Sequence, residues 1–68
     1  MKAVVRRFRV PLAAIAYVRM IVEAYDGLAV VVSERGSSLV EWWIAPGREA
    51  EADELARALA LEVDLRPV

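Results

Sequence analysis

From Pro11 to Leu28 the apolar residues recur with the period of a helix. At about 100° per residue, Ala14, Ile15, Val18, Ile21, Val22 and Tyr25 fall on one broad arc. Ala16, Arg19, Glu23 and Asp26 lie opposite and are expected to face water. Arg19 and Glu23 stand four residues apart, a spacing at which an ion pair contributes only ~0.3 kcal/mol. A third row, Ala13, Tyr17, Met20 and Ala24, is also mostly apolar. A helix lying on a sheet needs one apolar stripe, so this flank is expected to meet a second helix or another subunit. Pro11 suits the first helical turn, where its missing N–H has no partner to lose, and it pushes Val10 toward extended geometry. Gly27 stands where a left-handed residue would close the helix.

The flanking segments have the period of strands. Ala3 to Val10 puts Val4, Phe8 and Val10 on one face and Val5, Arg7 and Arg9 on the other. Arg6 shares the apolar face, which requires either a side chain that snorkels at the sheet margin or a bulge. Leu28 to Ser33 and Leu39 to Ala45 form two further strands around Gly36. A three-residue loop Glu34-Arg35-Gly36 would place Val30 opposite Val40 and Leu28 opposite Trp42. That register gathers Leu28, Val30, Val32, Val40, Trp42 and Ile44 on one face, whereas a one-residue slip would put Glu41 among the valines. Pro46-Gly47 breaks the strand ahead of a helix from Arg48 to Leu61. Glu49, Glu51, Asp53 and Glu54 favour its N-terminus, and Ala52, Leu55, Ala56, Leu59 and Ala60 make a narrow stripe. Val63 and Leu65 alternate with charged residues, which predicts a short last strand before Pro67.

The order β-α-β-β-α-β, over residues 1–68 as a single domain, predicts an α+β fold of the ferredoxin-like split βαβ type. Its antiparallel sheet carries two helices on one face. The first and third strands are then central neighbours, so Trp43 should lie near Val5 or Arg7. The open face is expected to carry Val5, Arg7, Arg9, Ala29, Val31, Leu39, Glu41 and Trp43. The run Val10-Pro11, Ile15-Ala16-Tyr17 and Glu23-Ala24-Tyr25-Asp26-Gly27-Leu28-Ala29, with Pro46 ahead of an acidic helix, resembles a small bacterial family, domain of unknown function 4911. The likeness spans nearly the whole chain. It implies the fold and supplies no catalytic residues, since the family carries no assigned activity, and Trp42-Trp43 is no part of it.

Composition sharpens the expectation of assembly. A chain of 68 residues buries only ~60% of its unfolded surface. Its hydrophobic fraction of 59% exceeds the ~45–50% usual for soluble domains, a figure that also counts glycine. So small and apolar a chain is expected to hide part of its surface between subunits. A net charge of −1 gives no general attraction to nucleic acid or anionic membrane. Lys2, Arg6, Arg7 and Arg9 ahead of an apolar run do not make a targeting signal, because Arg19 interrupts early and no cleavage site follows. Arg19, Glu23 and Asp26 also break the one long apolar run, which argues against a membrane span.

The chain has no Cys, His, Asn, Gln or Thr. This excludes disulfides, thiolate metal sites and thiol redox chemistry, and fits a cytoplasmic protein. The scarcity of thermolabile side chains and the excess of Arg over Lys are those of a thermophile or a GC-rich genome. Ser33, Ser37 and Ser38 have no imidazole to activate them and read as turn residues. Glu49, Glu51, Asp53 and Glu54 could hold a hard cation only weakly, and they explain themselves as a solvated helix start. No phosphate loop, metal motif or cofactor fingerprint is present, so no catalytic, metal-binding or cofactor-binding residue is assigned.

Three functional readings follow. The first is a non-enzymatic, homo-oligomeric interaction or regulatory module, a homodimer built on Trp43, Val31, Leu39, Ala29, Val5 and Arg7. The second is a small-ligand sensor like the ACT domains, with an amino acid near the first strand-to-helix turn; here that turn, Val10-Pro11-Leu12, offers few polar groups. The third is RNA binding, with Arg6, Arg7 and Arg9 on phosphates and Trp43 stacked on a base. Glu41 puts a negative charge on that face, and the strand lacks the glycine and spaced aromatics of an RNA-recognition motif.

Overall fold

The computed structural model describes residues 3–68; Lys2 of the charged N-terminal run lies outside them. Strand β1 (Val4–Arg9) alternates as its sequence dictates, with Phe8 buried and Val5, Arg7 and Arg9 exposed. A short 3-10 turn (Leu12–Ala14) leads into helix α1 (Ile15–Glu23). Strands β2 (Ala29–Ser33) and β3 (Leu39–Ile44) precede helix α2 (Glu49–Val63), and β4 (Arg66–Pro67) closes the chain. The sheet runs β2-β3-β1-β4 and is antiparallel throughout. This is the ferredoxin-like α+β arrangement, with β1 and β3 as central neighbours.

The β1–β3 ladder pairs Val5 with Trp43, Arg6 with Trp42 and Phe8 with Val40, without interruption. No bulge shifts β1. Arg6 stays on the helix side, half-exposed, and reaches Asp53 of α2 at 3.4 Å. So partly solvated a pair contributes about 0–1 kcal/mol; its effect is to let a charged residue share the apolar face.

The expected β2–β3 register is wrong. Val30 pairs with Trp43 and Val31 with Trp42, in place of Val30 with Val40 and Leu28 with Trp42. The expected three-residue loop is too short. Gly36 (φ 80°) does sit in a turn, closed by Ser37 N–H donating to Glu34 C=O. Beyond it the chain leans on β1: Val10 N–H donates to Ser38 C=O (2.8 Å), and Leu39 pairs with Arg9. Val31 therefore points into the core and Ala29 packs against it, while Val30 and Val32 take the open face. Leu28 is fully buried from a turn outside the ladder, its N–H donating to Tyr25 C=O.

Helix α1 also ends sooner than the periodicity predicts, at Glu23. Gly27 is left-handed (φ 68°) as expected, but it belongs to the turn after the helix. Arg48 ties that turn to the start of α2 by donating from Nη1 to Asp26 C=O at 2.6 Å. Helix α2 runs two residues beyond the predicted Leu61 and takes in Val63; Asp64, at φ 60°, reverses the chain. The last strand is thus Arg66–Pro67 and pairs with Arg9 and Phe8 at the sheet margin, where a proline costs no ladder bond.

The core lies between the sheet and both helices. Val18 and Val22 of α1, Ala52, Ala56 and Leu59 of α2, and Phe8, Val31, Val40, Trp42 and Ile44 of the sheet are buried. Of the extra apolar row on α1, Tyr17 meets α2 through a hydrogen bond to Glu62, whereas Ala13, Met20 and Ala24 stay exposed. No helix among the described residues is long and apolar enough to cross a membrane.

Candidate interaction surface

Because adjacent strand residues point to opposite faces, Trp42 and Trp43 are separated by the sheet. Trp42 is fully buried and packs on Phe8, ring centroids 4.7 Å apart. Trp43 stands on the open face, 47% exposed. The register lays one apolar row across three strands: Val30 (57% exposed), Trp43 and Val5 (38%). The next row is Val32 (41% exposed), Glu41 and Arg7; the row after that ends in Leu39 and Arg9, with Arg66 paired to Arg9. Beside Trp43 the surface dips into a hollow of about 600 Å³, bordered by Ala3, Tyr25, Val30 and Pro46. Among the described residues nothing covers this face. The segment after Leu61 extends α2 and then pairs along the margin of β1, away from it.

Glu41 organises the polar row. It accepts from Trp43 Nε1 (3.0 Å) and from Arg7 Nε (2.9 Å). The indole hydrogen bond, and next the Arg7 guanidinium, hold its carboxyl below the usual range. Arg7 and Trp43 are thereby tied to a carboxylate at the place where a phosphate or a base would have to approach.

Of the six residues singled out from sequence, the structure puts Trp43, Val5, Arg7 and Leu39 together on the open face. Val31 and Ala29 belong to the other side, and Val30 and Val32 are the members missed. Four consecutive apolar residues, Ala29 to Val32, carry no alternation, so the sequence held no signal for their phase.

The polar candidates are engaged locally. Ser33 Oγ accepts from Arg19, Ser37 Oγ from Leu39 N–H, and Ser38 Oγ from Arg9. Arg19 and Glu23 do not form the expected pair with each other. Glu23 accepts from Val31 N–H (3.3 Å) while Arg19 donates to Ser33 (2.8 Å), so both guard the outer edge of β2. Among the described residues no three acidic groups converge on a possible cation site. At the Val10-Pro11-Leu12 turn, a cavity of about 310 Å³ is lined by Arg9, Ser38, Asp64 and Arg66 as well as Val10 and Pro11. The polar groups that the turn itself lacks come from Arg9 just before it and from Ser38, Asp64 and Arg66 of distant segments.

The family model for a domain of unknown function, DUF4911, matches residues 8–63. The chain belongs to the DUF4911 family. No curated protein and no solved structure matches it. The DUF4911 match runs from Phe8 to the end of α2, so it takes in β2, β3 and both helices with Val30 and Trp43, and leaves out Val5.

Proposed function

We propose that this DUF4911 chain is a non-enzymatic module that works by self-association, its open sheet face closing on a second copy. The observation that carries this reading is the row Val30–Trp43–Val5, with Val32 beside it, exposed on a sheet face that no described residue covers. Large exposed apolar patches on so small a domain mark interaction sites. Two features favour a second copy of the same chain. Trp43 projects beside the hollow bordered by Tyr25, Val30 and Pro46, so a two-fold axis would bring each projection toward the other copy's hollow. The neighbouring charges are internally paired as Arg7–Glu41, so like rows can approach without a net charge between them.

Stacking of faces is favoured over pairing of β2 edges. Glu23 occupies Val31 N–H and Arg19 reaches Ser33, and charged groups over an edge strand oppose augmentation there. Light scattering at high micromolar concentration is expected to give the mass of two chains, and Trp43→Glu the mass of one. A wild-type mass of one chain, or a Trp43→Glu variant that keeps the wild-type mass, would overturn the reading.

A further inference from the structure

The two helices run antiparallel, and the groove between them is open on its outer side. Tyr17, in the first turn of α1, donates to Glu62 in the last turn of α2. At the other end Tyr25, just past α1, lines a cavity of about 420 Å³ with Leu55 and Ala58 of α2. Met20 and Ala24 follow Tyr17 at helical spacing, so they share the flank of α1 that faces α2. Leu61 stands on the α2 side. Met20 is 60% exposed and Leu61 93%, and no described residue covers either.

The α2 wall of this groove is charged with one sign. Glu51 and Glu54 border the cavity at one end, and Glu62 stands at the other. Arg48 is taken up by Glu51 at 3.0 Å, and Arg57 lies on the opposite flank of α2, toward β1. Neither Glu54 nor Glu62 makes an ion pair among the described residues. A helix dipole favours carboxylates in the first turn and cations in the last, so nothing in α2 itself calls for a negative charge at Glu62. A cation arriving from outside would complement both residues.

We propose that this groove docks a basic amphipathic helix of a partner protein. Both walls are helices whose backbone groups bond internally, so an occupant is held by side chains alone, and a helix lays a continuous apolar stripe into such a groove. Met20, with its flexible thioether, adapts to the residues of that stripe. Lysines or arginines beside the stripe reach Glu54 and Glu62 in charge-assisted contacts. About 14 residues, ~21 Å of helix, match the 15 residues of α2. A second copy of the chain does not have this chemistry. Its α1 offers one Arg and one Glu, and its α2 sets Glu49, Glu51, Asp53, Glu54 and Glu62 against Arg57, so two such surfaces repel. Anionic membrane and nucleic acid are repelled for the same reason. The groove lies on the helix side of the sheet, independent of the face proposed for self-association.

The test is titration of the 15N-labelled full chain with a capped peptide of about 14 residues, leucines at helical spacing and lysines elsewhere. One control carries glutamate for lysine, and a second keeps the composition but scatters the leucines. The first peptide is expected to move the amides of Met20, Ala24, Ala58 and Leu61 in a saturable way that weakens with salt. Both controls should leave them in place. Glu54→Lys is expected to weaken binding about tenfold or more while the light-scattering mass stays as in wild type. Ala24→Trp, which fills the groove from α1 without changing charge, should block it too. Unchanged binding in either variant, equal binding of either control, or shifts confined to Val30, Val32 and Trp43 would overturn the proposal. So would shifts at the groove that follow protein concentration alone, which would make the occupant a second copy. Groove shifts in a wild-type chain that scatters light as a monomer would support this proposal and strike only the reading of the open face.

Discussion

At the scale of single residues, burial outweighs polar satisfaction at Trp42. Its Nε1 has no hydrogen-bond partner among the described residues although the side chain is fully buried. An unmade bond of this kind costs ~1–3 kcal/mol. Burying the roughly 150–250 Å² of a large aromatic at ~25 cal/mol per Å² contributes about 4–6 kcal/mol. The ring is therefore held inside, and contact with Phe8 adds to this. Tyr17 makes a different bargain at the surface. Its hydroxyl donates to Glu62, and that hydrogen bond, followed by burial and the Glu62 charge, raises its pKa above the ordinary 10.0. A group whose folded pKa is raised contributes stability that is full below its unfolded value and is lost as pH rises through the folded one. The link between α1 and α2 should accordingly hold at neutral pH and weaken only above about pH 10. Tyrosinate absorbance should show a late-titrating phenol that moves to lower pH in Glu62→Ala. An unchanged titration would mean that Glu62 does not hold the phenol.

At the scale of elements, the junction after α1 decides how the helix feeds the sheet. Gly27 at φ 68° turns the chain so that Leu28 enters the core, and Arg48 braces the same turn through Asp26 C=O. Gly27→Val should destabilise the domain by more than ~1 kcal/mol, because a β-branched residue resists positive φ. The added side chain would also grow toward Arg48 Nη1, which lies 3.6 Å from a Cβ built on Gly27. Denaturant unfolding would measure this, and a midpoint equal to wild type would contradict the assigned turn. The end of α2 solves a similar problem without glycine. Asp64 takes the left-handed conformation, and its carboxylate accepts from Arg66 Nε at 2.9 Å.

At the scale of the whole molecule, two layers leave one sheet face without a cover among the described residues. If that face closes on a second copy, unfolding is linked to dissociation, and the melting temperature must rise with protein concentration. Calorimetry across a hundredfold range is expected to show that rise in the wild type and a flat response in Trp43→Glu. A concentration-independent melt of the wild type would contradict self-association through this face.

How much of this was legible beforehand depended on whether charged residues marked the pattern. In β1, Arg7 and Arg9 mark one face, and in β3, Glu41 separates two apolar neighbours; the chain alone therefore determined the two faces of these strands and the opposite fates of Trp42 and Trp43. It also determined the element order and hence the α+β arrangement, because Pro11, Gly27, Gly36 and Pro46 punctuate it. The phase of Ala29 to Val32 was decided only in three dimensions. Four apolar residues fit either face equally well, and the choice fell to Leu28 entering the core from its turn and to Ser38 and Leu39 pairing with Val10 and Arg9. Local spacing likewise paired Arg19 with Glu23, but the free edge of β2 offered both a better partner.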